Sequence, residues 1–166
     1  YSATLANLAP YVIDLGNQSQ DAARLIMLIA FAGLIGKLAF GLAADKFPLK
    51  SCLLLSQLLV VIAYIILASL PNLHLVSAAC ILLGLATGGM LPIWGALMAQ
   101  LFGLQHYGRA NGLMAPLITI CVLPGYSLMG FLYDSNGTYQ APIYVFTILL
   151  MFGMALLIPL KIDLQK

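Results

Sequence analysis

The sequence contains no glutamate, and its charged residues make up only 7% of the 166 positions. Hydrophobic residues account for 63% of the chain, well above the share of roughly one half that is typical of soluble domains. A soluble domain of this length has no core large enough to bury so many apolar side chains. The composition therefore excludes a soluble globular domain and predicts a protein embedded in the lipid bilayer.

Basic clusters, paired cysteines and catalytic constellations are also missing from the sequence. The formal net charge of +2 is not gathered into a basic run, which argues against a nucleic-acid partner. The cysteines stand singly within apolar runs, without the spacing of a disulfide framework or a zinc site; they are Cys52, Cys80 and Cys121. His74 and His106 have no companions at ligand spacing, so we expect no metal. Because no nucleophile has a neighbouring base, we expect neither enzymatic activity nor a cofactor.

Long apolar runs predict membrane-spanning helices, because a helix needs about 20 residues to cross the hydrocarbon layer and must satisfy its backbone polar groups internally. We interpret residues 1–13 as a truncated first helix. Five full spans are predicted after it, joined by short connectors rich in turn-forming residues: 22–42, 51–70, 75–98, 109–132 and 141–160. The predicted fold class is an all-α membrane protein, a six-transmembrane-helix bundle.

The basic residues predict how this bundle is oriented. If the spans alternate in direction, one side of the membrane carries Arg24 alone and the other side carries Lys46, Lys50, Arg109, Lys161 and Lys166. Basic residues accumulate on the cytoplasmic side of membranes. We therefore expect a multi-pass protein of the plasma or inner membrane with a cytoplasmic C-terminus.

A faint internal repeat favours a transporter. The second predicted helix ends with GLAAD, residues 41–45, and the fifth ends with GFLYD, residues 130–134. Each of these helices is the middle one of a triplet, and the predicted topology puts the two aspartates on opposite sides of the membrane. Two inverted three-helix repeats are how many secondary transporters are built, with the binding site near the membrane midplane.

Lys37 lies inside the second predicted helix, about 7 Å from its middle at 1.5 Å per residue. A lysine at the centre of a membrane helix costs on the order of 2.5–3.5 kcal/mol. The side chain could snorkel to the membrane surface, but helix side chains lean toward the N-terminus, which here carries Lys37 toward the membrane centre. Gly33 and Gly41, one turn to either side, clear its face. A water-filled cavity, a carboxylate outside this sequence or an anionic substrate would each satisfy the ammonium.

The connector after Lys37 has two interpretations. In the first, Asp45 sits in a solvated turn, Pro48 starts the next helix, and Lys46 and Lys50 set the topology. In the second, Asp45 is a latch that meets the positive N-terminal end of a neighbouring helix and holds one conformation of a moving bundle.

Other polar and small residues inside the spans also have two readings. Tyr126 follows a Pro–Gly pair in the fifth helix, and its hydroxyl needs a partner, so it lines a cavity or is packed inside the bundle. Trp94 is interpreted as an anchor at the membrane interface. Glycines in the fourth and fifth helices are expected to pack helices closely; they are Gly84, Gly88, Gly89, Gly95, Gly108 and Gly112.

The connector GLAADKFPLK, residues 41–50, resembles the loop motif G-x-x-x-D-(R/K)-x-G-(R/K) of the major facilitator superfamily, with Pro48 where the motif prefers Gly. In that family the motif joins the second and third helices of the C-terminal half. Residues 84–113 and 125–139 are similar to segments of its monocarboxylate and oxalate/formate antiporter branch, which share a Gly-rich helix and a G-x-x-x-D-x-x-G-x-Y ending. The resemblance implies the C-terminal six-helix half of a twelve-helix transporter, partnered by an N-terminal half.

The resemblance also implies a site. The branch carries a cation about one turn before the motif's first glycine, where it is implicated in binding the substrate carboxylate, and Lys37 matches that position. Gly33 stands where monocarboxylate members commonly place an Asp linked to proton coupling, so proton symport is not implied. The second basic residue of oxalate-type members has no counterpart in 109–132 beyond Arg109 at its edge.

We therefore predict a secondary active transporter of a small, monocarboxylate-like organic anion that works by alternating access, by symport or antiport. The candidate substrate-binding residues are Lys37, Gly33 and Tyr126. The candidate conformational loop motif comprises Gly41, Asp45, Lys46 and Lys50. Two alternatives stay open at this level: an exporter of drugs or neutral solutes, in which Lys37 only stabilises a loop network, and a non-transporting membrane scaffold or receptor.

Overall fold

The computed structural model describes residues 1–69 and 72–159, and within them the chain forms helices and no strand. In chain order these are α1 (Ser2–Ala6), α2 (Leu8–Asp14), α3 (Ser19–Lys46), α4 (Leu49–Ala68), α5 (Leu73–Asn136) and α6 (Gln140–Leu157). Among the described residues, four helices are long and apolar enough to cross a membrane, namely α3, α4, α5 and α6. The predicted span ends at residues 70 and 160, and the topology-setting Lys161 and Lys166, lie outside the described residues.

The N-terminal segment forms two short helices where one truncated helix is predicted. Pro10 has no N–H, and its ring would clash with the carbonyl of Ala6, four residues earlier, if the helix were continuous. Accordingly α1 ends at Ala6 and the chain bends at Asn7, with φ −99° and ψ 9°. The Asn7 side chain donates a hydrogen bond to the Ala3 carbonyl at 2.9 Å, which supplies a donor at the end of α1.

Side-chain hydrogen bonds join α4 to the N-terminal segment and to α6. The hydroxyls of Thr4 and Tyr64 are 2.6 Å apart, and both residues are buried. The Tyr11 hydroxyl donates to the Leu67 carbonyl at 2.8 Å. Gln140, at the start of α6, donates to the Ala68 carbonyl at 3.3 Å. The end of α4 is therefore held by both the N-terminal segment and α6.

Helix α5 is a hairpin. It covers 64 residues, and its backbone leaves helical geometry at Gly103, where φ is 71° and ψ is 160°; a positive φ is readily adopted by glycine. The indole nitrogen of Trp94 donates to the side-chain oxygen of Asn111 at 3.3 Å, although 17 residues of straight helix would separate them by about 25 Å. The chain therefore reverses at Gly103, and we call residues 73–102 the first arm and residues 104–136 the second arm.

The first arm is the centre of the described bundle. Helix α3 packs along one side of it, and α4 packs along another, where the buried Ser56 hydroxyl donates to the Ala86 carbonyl at 3.0 Å. The second arm returns to the end where α2 stops: Met129 is buried in the main core, and the Tyr133 hydroxyl lies 3.5 Å from a carboxylate oxygen of Asp14.

Candidate functional site

The site is built on a close contact between α3 and the first arm. A Cβ atom added to Gly36 would overlap the backbone of Leu85, and one added to Gly88 would overlap the backbone of Gly33. At Gly84 it would lie 2.5 Å from the Ile29 carbonyl oxygen. The two helices therefore meet backbone against backbone, which small residues permit in membrane proteins.

The glycines of the predicted fourth and fifth helices differ in what they contact. At Gly95 an added Cβ would lie 3.6 Å from the Tyr107 hydroxyl, on the second arm of the same hairpin. Gly84, Gly88 and Gly89 contact α3, which confirms that they pack helices closely. Gly108 and Gly112 have nothing within 4 Å of an added Cβ in the described part of the chain, so the expected close packing is not seen there. The sequence reasoning also missed Gly36, although its three-residue spacing from Gly33 was a signal for a contact face.

A cavity of about 410 Å³ opens beside this contact, between α3, the first arm and the N-terminal segment. Among the described residues that line it, Lys37 has the only charged side chain. The lining residues are Tyr1, Leu5, Ile26, Ile29, Ala30, Gly33, Lys37, Thr87, Gly88 and Leu91. The cavity is thus a largely apolar groove with one cationic side chain among the described residues.

The polar groups of this groove differ in how they are satisfied. Thr87 donates its hydroxyl hydrogen to the Leu83 carbonyl at 2.6 Å, within its own helix. Lys37 is exposed and has no hydrogen-bond or ion-pair partner within residues 1–69 and 72–159. The ammonium is therefore available to a ligand, and a carboxylate that met it would form a charge-assisted hydrogen bond.

Gly33 has two roles in this geometry. Its backbone supports Gly88, and its open side faces the groove one turn from Lys37. A Cβ added to Gly33 would meet the Gly84 carbonyl oxygen at 3.5 Å, an ordinary contact distance. Packing therefore does not demand glycine here as it does at Gly36, and the missing side chain leaves room in the groove.

Tyr126 lies elsewhere. It is on the second arm with 40% of its surface exposed, and it is not among the described residues that line the Lys37 groove. Its neighbours Pro124 and Gly125 line a different cavity, of about 500 Å³, between the second arm and α6. The structure thus brings Gly33 and Lys37 to one groove and does not bring Tyr126 to it.

The predicted loop motif is mostly helical. Asp45 and Lys46 are exposed in the last turn of α3, and the link to α4 is only residues 47–48. Gly41 has open space around an added Cβ. Asp45 makes no hydrogen bond or ion pair within the described chain, and no side chain caps α4.

Lys50 is the member of this motif with a defined contact. Its ammonium donates to the Ile158 carbonyl at 2.7 Å. The start of α4 is therefore tied to the residue that follows α6.

Comparisons with known proteins point to one family, but the relatives are named for different transported substrates. The family model of the Major Facilitator Superfamily matches residues 1–164. The chain is 26% identical over 155 residues to monocarboxylate transporter 14 of Homo sapiens, covering 90% of this chain and 30% of that protein. It is 26% identical over 139 residues to the multidrug efflux pump Tap of Mycolicibacterium fortuitum, covering 83% of this chain and 34% of that protein.

A third relative is also named a multidrug efflux pump. The chain is 30% identical over 115 residues to the multidrug efflux pump Tap of Mycobacterium bovis (strain BCG / Pasteur 1173P2), covering 69% of this chain and 27% of that protein. This chain therefore spans about a third of the length of the curated relatives that it matches.

Proposed function

We propose a function from the premise that this chain belongs to the Major Facilitator Superfamily and is a multi-pass integral membrane protein. It is part of a secondary active transporter that moves a small, monocarboxylate-like organic anion by alternating access. Lys37 is the anchor for the carboxylate, and Gly33 leaves the space beside it. Family membership supports a transporter rather than an enzyme, and the charge in the groove supports the anion.

One observation carries the choice of cargo: the exposed ammonium of Lys37 stands in an apolar groove without a described partner. A carboxylate that enters such a groove loses hydration, and this loss must be offset by an opposite charge and hydrogen bonds. A single lysine offers one such charge. The match is therefore to an anion with one carboxylate and an apolar remainder.

The proposed architecture is the C-terminal six-helix half of a twelve-helix transporter, formed by two inverted three-helix repeats. Each arm of α5 is longer than the roughly 20 residues that a crossing requires, which supports counting the hairpin as two spans. The N-terminal half of the transporter would close the groove from the other side. We retain the cytoplasmic C-terminus and the location in the plasma or inner membrane as parts of this proposal.

The test is uptake by the complete protein reconstituted in proteoliposomes, with labelled lactate, pyruvate and benzoate as probes. Loss of a charge-assisted hydrogen bond costs about 1.5–3 kcal/mol, so we expect Lys37→Met to lower uptake at subsaturating anion by about tenfold or more. The matched control is Arg24→Met, which removes a cation from the same helix whose contact is a surface pair with Asp21. Near-normal uptake by Lys37→Met would refute the role of Lys37.

A second candidate is an exporter of drugs or neutral solutes. Apart from Lys37 and Thr87 the groove is lined by apolar residues, a tyrosine and glycines, and two of the relatives are named multidrug efflux pumps. For this function, export of a lipophilic dye would be insensitive to the three monocarboxylates and would survive Lys37→Met. The same proteoliposomes therefore separate the two candidates.

A further inference from the structure

A separate cavity, of about 330 Å³, lies where α2 ends and α6 begins. It is lined by Tyr11, Asp14 and Leu15 on one side and by Thr138 and Tyr139 on the other. This volume is near the lower end of the range of about 300–1,000 Å³ found for small-molecule sites. None of these residues lines the Lys37 groove.

Tyr139 is the first indication of a ligand in this cavity. Only 6% of its surface is exposed, yet its hydroxyl has no hydrogen-bond partner in the part of the chain that the structure describes. Burial raises the pKa of the Tyr139 phenol, and Tyr133, Asp14 and Asp134 raise it further. The phenol therefore stays protonated at neutral pH, and its hydroxyl is open to the cavity, since no side-chain oxygen of the described residues is both fully buried and unpaired.

The carboxylate of Asp14 gives the cavity a negative charge. One of its carboxylate oxygens receives a long hydrogen bond, 3.5 Å, from the Tyr133 hydroxyl. The other oxygen has no partner among the described residues. Asp134 adds a second negative charge close enough to act on Tyr139. An anion would be repelled here, and a cation would be attracted.

The surroundings also select the kind of cation. No group of three His, Cys, Asp or Glu residues that could hold a metal ion is found in the described chain. The ring of Tyr139 is stacked on Tyr133 at 4.2 Å and meets Tyr11 edge-to-face at 6.0 Å. Because the stacked contact occupies one face of the Tyr139 ring, a quaternary ammonium that relies on such faces fits less well than a cation with N–H donors, which the Asp14 carboxylate and the Tyr139 hydroxyl oxygen accept.

We propose that this cavity binds a primary alkylammonium, whose N–H groups donate to the Asp14 carboxylate and to the Tyr139 hydroxyl oxygen. The alkyl part packs on Leu15 and the tyrosine rings. The same chemical group occurs in free amine solutes and in the headgroup of phosphatidylethanolamine. Both sources reach this cavity, because it lies at the start of a membrane-spanning helix.

The test uses the purified complete protein in nanodiscs of phosphatidylcholine, with ethylammonium as the probe and ligand-observed NMR as the readout. We expect ethylammonium to bind and tetramethylammonium, which has no N–H, to bind at least about tenfold more weakly, the effect of a lost hydrogen bond to a charged group. Asp14→Asn and Tyr139→Phe should each weaken ethylammonium by about tenfold. The asparagine keeps an acceptor for Tyr133, and the phenylalanine keeps the stacked ring.

Tyr144→Phe is the matched control, since Tyr144 is an exposed tyrosine of α6 that does not line the cavity; its affinity for ethylammonium should equal that of the parent. If Asp14→Asn does not fold, Tyr139→Phe decides the result. The proposal fails if ethylammonium does not bind, if tetramethylammonium binds equally well, or if Tyr139→Phe binds as the parent does.

Adding phosphatidylethanolamine to the nanodiscs distinguishes the two sources of the amine. If the lipid headgroup occupies the cavity, the apparent affinity for ethylammonium falls as the fraction of this lipid rises. If the affinity is unchanged, the ligand is a free amine. Either result is compatible with the site, whereas the variants test the site itself.

Discussion

Gly33 and Gly88 lie backbone against backbone: a Cβ on Gly88 would be 2.7 Å from the Cα of Gly33 and 2.8 Å from its carbonyl carbon. Real Cβ atoms do not approach other atoms so closely, so any side chain at residue 88 must push α3 and the first arm of α5 apart. Lys37 lies one turn from this contact. The shape of the groove and the position of its cation therefore depend on a residue that carries no side chain.

Alanine at the tightest glycines should destabilise the protein. We expect Gly36→Ala and Gly88→Ala each to lower the free energy of unfolding by about 1–3 kcal/mol, the cost of overpacking a well-packed interface. The measurement is thermal unfolding of the purified protein in detergent. Gly41→Ala serves as control, because an added Cβ there meets nothing within 4 Å; equal melting temperatures for Gly88→Ala and Gly41→Ala would contradict the backbone contact.

The hairpin of α5 should depend on Gly103 in particular. Its φ of 71° with ψ of 160° belongs to a region that is essentially restricted to glycine and costs other residues about 1–3 kcal/mol. We expect Gly103→Ala to lose stability by this amount. Gly108→Ala, five residues later in helical geometry with open space, should be neutral or slightly stabilising. The idea would be wrong if the two variants melted at the same temperature.

A carboxylate beside Lys37 should compete with the substrate. Because a Cβ at Gly33 meets only an ordinary 3.5 Å contact, Gly33→Ala should fold and retain most of its anion uptake. Gly33→Asp should reduce uptake by about tenfold at neutral pH, since the new carboxylate pairs with the ammonium that the substrate needs. Comparing the two variants separates charge from size. Equal uptake by both would indicate that Lys37 does not meet the anion.

The hydroxyl pair of Thr4 and Tyr64 should couple the N-terminal segment to α4. Hydrogen bonds between membrane helices are worth about 0.6 kcal/mol on average and up to about 1.7 kcal/mol. With a separation of 2.6 Å and full burial, we expect a coupling free energy near the upper value in a double-mutant cycle of Thr4→Val and Tyr64→Phe. Additive losses would show that the two hydroxyls do not interact.

Hydropathy alone predicts where helices lie in this chain, because a helix is the simplest structure in which a membrane-crossing segment pairs its own backbone N–H and C=O groups. The helix around Lys37 is predicted over 22–42 and found over Ser19–Lys46. At its start the extra residues, 19–21, coincide with polar contacts that hydropathy does not detect. One of these is the bond between the Gln18 backbone and the Asp21 side chain, which caps the start of α3.

Helix contacts were harder to predict, because they depend on which faces meet. The sequence predicts a connector over residues 99–108. In the structure these residues are helical except at Gly103, and this one residue with positive φ is enough to reverse the chain. Trp94 was interpreted as an interface anchor, and in the structure its indole bonds to Asn111 across the hairpin. In the sequence, Tyr126 and Lys37 are both polar residues within apolar helices. Only the fold shows that Lys37 lines the groove and that Tyr126 lies on a different surface.

The end of α4 shows how secondary and tertiary structure depend on each other. The last carbonyls of a helix have no donor within it, and residue 71, which would supply one for Leu67, is a proline without an N–H. Tyr11 and Gln140 donate to Leu67 and Ala68 instead. The final turn of α4 is therefore completed by side chains from distant parts of the sequence, so we expect it to become fully formed only when α2 and α6 have docked. Protection of this turn from hydrogen exchange would report the assembly of the whole bundle.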